Sequence, residues 1–218
     1  MTHQRRGPGT RAGLTARQIL TVARALVERE GVESLTMRGL ADELGVAPNS
    51  IYSHFADKAA LVDAVLDDLL AEVPIPGVVG SWQDGIVELM TASREMLLRH
   101  APLLPYLFSR PMRGPQVSRL TEASLALLEQ GGIRGPAAVA GLRAILTYTF
   151  GSVALDAPRR LDDPVRRAAE GAAAFATRTE PRVAALAEPL ARPPESTDFA
   201  VSLRWLLDGV ERALGERS

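Results

Sequence analysis

The chain has 218 residues, 46% of them hydrophobic, and a net charge of -1. That is enough apolar material for one large globular domain or two small ones. It is not a globally basic surface, so any contact with nucleic acid must rest on local groups. The absence of cysteine excludes disulfides, thiolate metal sites and cysteine nucleophiles, and fits a reducing compartment.

No stretch approaches the roughly 20 unbroken apolar residues of a membrane span. The start, MTHQRRGPGTRAG, has arginines but no apolar run behind them, unlike a secretory signal. A cytoplasmic protein with no membrane partner is expected. Residues 1–13 carry Arg5, Arg6 and Arg11 among Gly and Pro; they read equally as a flexible basic arm or as a tail without a role.

The first helix has a defined start. Thr15 can cap it and Gln18 can reach back to complete a capping box, with Leu14 and Ile19 at the positions of a hydrophobic staple. Ile19, Val22, Ala23, Leu26 and Val27 follow helical spacing, and Gly31 ends the run. Thr36 then caps a short second helix with Leu40 and Leu44 inside. Gly45 supplies a turn, and Pro48 suits the first position of a third helix, where its missing N–H would have had no partner. Asp57 caps a fourth helix whose apolar stripe is Leu61, Val62, Val65, Leu66, Leu69 and Leu70.

After Val73 the stretch PIPGVVG is the expected boundary between a domain over 14–73 and one over 74–218. Further helices are expected over 81–99, 102–110, 116–130, 136–155, 164–178 and 198–214, separated by RPMRGP, GGIRGP, DAPRR and ARPPEST. No alternating strand pattern and no internal repeat is found. The expected fold class is all-α, a three-helix helix-turn-helix unit followed by a larger helical domain.

Two short helices joined by a tight Gly-containing turn, after a longer amphipathic helix, form a helix-turn-helix. In such a motif the second helix enters the major groove. Ile51 and Phe55 can anchor its inner face, which leaves Asn49, Ser50, Tyr52, Ser53 and His54 facing outward. Their hydroxyls, amide and imidazole suit phosphate oxygens and base edges. Lys58, the only lysine, starts the fourth helix and adds a cation where anions bind. A helix pair with a Gly turn also occurs in proteins that do not bind DNA, and residues 1–70 hold 8 basic and 9 acidic residues. Catalysis fares worse. The three histidines are scattered, there is no Gly-rich phosphate loop and no ligand-spaced acid or His cluster, so no catalytic residue, metal or cofactor is expected.

The stretch TMRGLADELGVAPNSIYSHFADKAALVDAVL closely resembles the DNA-binding domain of the tetracycline-repressor family of bacterial regulators. Thr36, the pair Leu40 and Ala41, the pair Gly45 and Val46, Tyr52, Phe55 and Lys58 occupy that family's pattern. The resemblance implies base contact from Arg38 and Asn49, with Pro48, Ser50 and Ser53 also facing the groove. It implies phosphate contacts from Tyr52, His54 and Lys58, with Thr36 beside them.

SWQDGIVELM, FSRP, LLEQGGI, TFGSVALDAP and LRWLLDGVERAL resemble the regulatory domain of the tetracycline-repressor class, more loosely. What this implies is a homodimer, formed through the helices that begin at Pro136 and Asp198, reading a palindromic operator in double-stranded DNA. The small residues Ala140, Gly141, Ala144 and Gly151 and the apolar Leu203, Leu206, Leu207, Val210 and Leu214 would meet their copies; an intramolecular core explains them as well. Trp82, Met90, Met96, Tyr106, Phe108, Met112, Tyr148 and Phe150 form an aromatic and sulfur-rich stripe expected around a ligand cavity, with Arg94, His100, Tyr106, Thr147 and Tyr148 as polar anchors.

Where the class positions a drug and magnesium with imidazoles, this chain has Pro74 and Tyr106. An uncharged or weakly polar small organic effector is expected instead. The function implied is a repressor released by that effector. The alternatives are a constitutive regulator, or a dimeric small-molecule-binding protein that no longer reads DNA.

Overall fold

The computed structural model describes residues 14–77, 80–161, 163–192 and 194–215. The basic arm expected over 1–13 and the side chain of Leu214 lie outside them. Among the described residues every regular element is helical, so the fold is all-α. The chain divides into two compact units, the first running to Val65 and the second starting at Leu66.

In the first unit, α1 (Ala16–Glu30) opens on the capping box: the Thr15 side chain accepts from the Gln18 N–H, and the Gln18 side chain accepts from the Thr15 N–H. Ile19, Ala23 and Val27 are its fully buried face. Thr36 caps α2 (Met37–Leu44), accepting from the Gly39 N–H at 3.0 Å. Met37, Leu40 and Ala41 are buried there, whereas Leu44 is only half-buried. Gly45 closes α2 at φ 66°, ψ 34°, a left-handed conformation that a side chain would strain. α3 (Pro48–Tyr52) follows with Pro48 in its first turn, and Asp57 caps α4 (Lys58–Leu70) by accepting from the Ala60 N–H at 2.7 Å.

The division between the units falls inside α4, ahead of PIPGVVG. The physical reason is that Leu66, Leu69 and Leu70 pack in a cleft with Met96, His100 and Leu103 of the second unit. That unit comprises α5 (Trp82–Arg99), a short 3-10 turn at Ala101–Leu103, α6 (Leu104–Ser109), α7 (Pro115–Gln130), α8 (Gly135–Leu161), α9 (Pro164–Ala176), α10 (Pro181–Ala185), α11 (Ala187–Ala191) and α12 (Ser196–Gly215). α5 is the central helix, packed against α7, α8 and α12.

Three expectations about elements change. α8 runs past the expected end at 155 and carries Pro158 inside the helix. A proline there forfeits one helix hydrogen bond, but Val153, Asp156 and Ala157 are buried around it and hold the turn. α10 and α11, five residues each, occupy a stretch where no helix is expected. Finally, Leu203 and Leu207 of α12 are fully buried within the chain's own core, so they are not part of a face open to a second copy.

Candidate nucleic-acid interface and effector cavity

The turn that presents α3 is built by backbone hydrogen bonds. The Gly45 N–H donates to the carbonyls of Ala41 and Asp42, and the Val46 N–H donates to that of Ala41 at 3.0 Å. Ile51, fully buried, is the anchor of α3. Phe55 is only half-buried and follows the helix. The helical hydrogen bonding nevertheless continues past Tyr52: the Ser53 N–H donates to the Asn49 carbonyl and the Phe55 N–H to the Ile51 carbonyl, at 3.1 and 3.0 Å.

With Ile51 inward, the expected contact residues are brought to the surface of one unit. Thr36, Arg38, Pro48, Asn49, Tyr52, Ser53 and His54 are exposed; Ser50 and Lys58 are half-buried. Tyr52 is 50% exposed, a large aromatic outside any core. Ser53 Oγ donates to the Ser50 carbonyl at 2.8 Å, which leaves its lone pairs as the outward group. Lys58 makes a contact that sequence spacing cannot show: its Nζ donates to the Glu33 carbonyl at 3.2 Å, which leaves two of its three N–H donors for an anion. Of the arginines of α1, Arg24 pairs with Glu28 and Arg29 with Glu30 and Glu43, while Arg17 is exposed. Arg38 has no ion-pair partner among the described residues. Its exposed guanidinium is open to a ligand at this face.

The second unit contains a cavity walled by α5, α7, α8 and the last residue of α4. Its apolar lining includes Leu70, Met90, Leu97, Met112, Leu146 and Phe150, and its polar lining is four hydroxyls, those of Ser93, Thr121, Ser124 and Thr149. Of the residues expected around a ligand, Met90 and Phe150 line it, together with Met112 of the same stripe. Phe108 touches the cavity wall edge-on, its ring 6.3 Å from that of Phe150, and is itself 46% exposed.

The others lie elsewhere. Trp82 is buried against the α7–α8 turn, where a Cβ on Gly131 would come within 2.7 Å of the indole. Met96 and His100 line the cleft with Leu66 and Leu69. Tyr106 stacks under the Arg110 guanidinium at 5.4 Å. Thr147 and Tyr148 border a separate groove between α8 and α12; the Tyr148 ring stacks on Phe199 with centroids 5.2 Å apart.

Arg94 is the largest departure. It is fully buried, its Nη2 2.7 Å from Asp156 Oδ2 and its Nε 2.7 Å from Ser152 Oγ, and its guanidinium lies 5.1 Å from the Phe199 ring centre. It is an internal ion pair joining α5 to α8, not an anchor in the cavity. No group of three or more potential metal ligands occurs among the described residues.

A helix-turn-helix with its second helix presented outward, followed in the chain by a helical domain with an apolar cavity, places the protein among the helix-turn-helix transcription regulators. Residues 19–65 match the family model described as bacterial regulatory proteins, tetR family, and residues 74–214 match that of the tetracyclin repressor-like C-terminal domain. The chain belongs to the tetracycline-repressor family; it is a transcriptional regulator and not an enzyme.

Among its relatives is an HTH-type transcriptional regulator of Saccharopolyspora erythraea, 34% identical over 155 residues, 71% of this chain and 66% of that one. The tetracycline repressor protein class A from transposon 1721 of Escherichia coli is 32% identical over 146 residues, 64% of this chain and 67% of that one. The chain thus spans about two thirds of the length of these relatives. Among solved structures, ActR of Streptomyces coelicolor in complex with actinorhodin superposes with a TM-score of 0.85 at 26% identity, covering 95% of this chain and 100% of that one.

Proposed function

We propose that the protein is a ligand-responsive repressor that binds a palindromic operator as a homodimer and is released by a small organic effector. The observation that carries this reading is the placement of α4. The helix begins at Lys58, directly after the helix-turn-helix, and ends at Leu70, a wall residue of the cavity. A molecule that displaces Leu70 therefore acts on the same helix that follows the DNA-reading turn. Coupling of this kind needs only a few kcal/mol of differential affinity between two arrangements. The structural relative solved with actinorhodin supports an organic effector in this fold.

In this reading the chain is organised as a basic arm over 1–13, a DNA-reading domain over 14–73 and an effector and dimerisation domain over 74–218, in a cytoplasmic protein. Arg38 and Asn49 read bases, with Pro48, Ser50 and Ser53 against the groove. Tyr52, His54, Lys58 and Thr36 hold phosphates. The dimer uses the outward faces of α8 and α12. Ala140, Ala144, Thr147, Gly151 and Leu155 form an exposed stripe at helical spacing on α8, and Val201 with Trp205 form one on α12. Leu155 is 67% and Trp205 69% exposed. Such an unpartnered face also explains why the Gly135–Pro158 stretch of α8 is long and apolar enough to cross a membrane by composition.

The test is binding to the DNA flanking the protein's own gene at two salt concentrations, beside Arg38→Ala and Tyr52→Phe variants. Tight, salt-sensitive binding is expected. Arg38→Ala should lose discrimination among operator sequences by about 1–3 kcal/mol, and Tyr52→Phe should weaken all sequences alike. Binding no tighter than to random DNA, by a folded protein, would remove the proposed reading at that operator.

A further inference from the structure

The chemistry of the cavity lining narrows what can occupy it. None of its lining residues carries a charge or an ionisable group. Three of its four hydroxyls have already used their protons within their own helices. Ser93 Oγ donates to the Leu89 carbonyl at 2.8 Å, Ser124 Oγ to the Leu120 carbonyl at 2.8 Å, and Thr149 Oγ1 to the Ile145 carbonyl at 2.9 Å. One comes from each wall, α5, α7 and α8. A hydroxyl whose proton is committed retains lone pairs and acts as an acceptor. The fourth, Thr121, has no hydrogen-bond partner among the described residues and keeps one donor.

We propose that the effector is an uncharged, largely aromatic molecule that carries hydroxyl or N–H donors and is bound without a metal ion. An anion entering the cavity would meet three sets of lone pairs and a single donor. A hydroxyl could be turned toward it only by giving up its helix carbonyl. A magnesium chelate would find no carboxylate or imidazole, and a hard cation prefers anionic or carbonyl oxygen ligands. An ammonium would find no counter-charge, and transfer of an unpaired charge into an apolar cavity is strongly unfavourable. A neutral donor gains on each count: three acceptors await its protons, and Met90, Met112 and Phe150 offer polarisable contacts to an aromatic face.

The inference rests on the cavity being the effector site, and the experiment separates the two. Calorimetric titration of the full chain uses four probes: a naphthalenediol, its dimethyl ether, the matching naphthalenedicarboxylate, and tetracycline with magnesium. The diol is expected to bind at least about tenfold more tightly than the ether and about a hundredfold more tightly than the dicarboxylate or the magnesium complex. Ser93→Ala, Ser124→Ala and Thr149→Val should erode the preference for diol over ether, with unchanged helicity and cooperative unfolding as the control for an intact fold.

Equal or tighter binding of either charged probe, equal binding of diol and ether, or no binding of any probe would overturn the proposal. Operator binding is followed in the same samples. Release of DNA by a charged probe would leave the regulator standing and sink the ligand class. The expected probe order without any effect on DNA would do the reverse.

Discussion

The guanidinium of Arg119 closes the end of α4: its Nη2 lies 3.0 Å from the Leu70 carbonyl and 2.9 Å from the Val73 carbonyl. The last carbonyls of a helix have no partner within it, and here a cation from another helix supplies one. The contact is reciprocated, since Asp67 of α4 accepts from the Gln116 N–H in the first turn of α7 at 2.9 Å. α7 also contributes Leu120, Thr121 and Ser124 to the cavity. One helix therefore both walls the cavity and clasps α4. Arg119→Ala should lower stability by about 1–3 kcal/mol and speed hydrogen exchange at the amides following Leu70. Both are measurable, by urea unfolding and by exchange, and wild-type values in both would show that the clasp carries no free energy.

The clasp depends on a glycine. Gly114, at φ 138°, lies so close to Asp67 that a Cβ there would overlap the carboxylate. Gly114→Ala combines backbone strain with that overlap, and a loss of about 1–3 kcal/mol is expected. In an Asp67→Ala background the overlap with the carboxylate disappears, leaving the strain and a 3.1 Å contact with the remaining Cβ. A double-mutant cycle should therefore give a coupling of at least about 0.5 kcal/mol; strict additivity would mean that the two residues do not meet.

The Arg94–Asp156 pair is buried on both sides, at 0% and 3% side-chain exposure. Arg94 Nη1 has no hydrogen-bond partner among the described residues, so the arginine is held with part of its bonding capacity unused. Removing Arg94 takes from the buried Asp156 carboxylate the guanidinium 2.7 Å away. Arg94→Met should lose about 3–5 kcal/mol, whereas Arg94→Met combined with Asp156→Leu should recover most of it. Thermal unfolding of the two variants decides the matter: equal losses would mean that shape, not charge, governs this part of the core.

What sequence could disclose follows from how local each signal is. The caps at Thr15, Thr36 and Asp57, the turn at Gly45 and the start at Pro48 are all made by groups within a few residues of one another, and each is legible from spacing. Arg94 reads as a polar anchor because its partner is 62 residues away. Lys58 reads as a free cation because the Glu33 carbonyl that receives it belongs to another element. The cavity's walls come from four helices, so its composition had no one-dimensional signature beyond Met90, Met112 and Phe150. Likewise α8 passes through Pro158 because of tertiary burial that local propensity does not encode.

Acid should expose two surface caps. Asp84 is held below its ordinary value of 3.8 by a hydrogen bond from the Ser81 hydroxyl and then by Arg204, and Asp198 by the Glu195 backbone N–H and then by Arg192. With folded-state values depressed, the unfolded chain binds these protons more readily. Their contribution is therefore complete above the ordinary carboxylate value and lost as pH falls through the lowered ones. Both groups are exposed, so the effect is small and weakened by salt. Asp84→Asn should flatten the fall of Tm with pH below about 4 and leave its slope near neutrality unchanged; an unaltered acid limb would show that Asp84 makes no differential contact.

Trp205 tests the proposed dimer. It is 69% exposed on α12, four residues after the exposed Val201, while Leu203 and Leu207 on the same helix are buried inside the chain. In the proposed dimer this indole, on a helix that already has its own core face, would be covered by the second copy. If α8 and α12 form the twofold interface, Trp205→Arg places a charge from each copy near the axis, where neither finds a partner. The variant should sediment as a 23.4 kDa monomer with unchanged helicity. Because each half-site would then be met singly, its operator affinity should fall by about a hundredfold or more. A variant that remains dimeric would move the interface away from α12. A monomer with full operator affinity would instead remove the need for two half-sites.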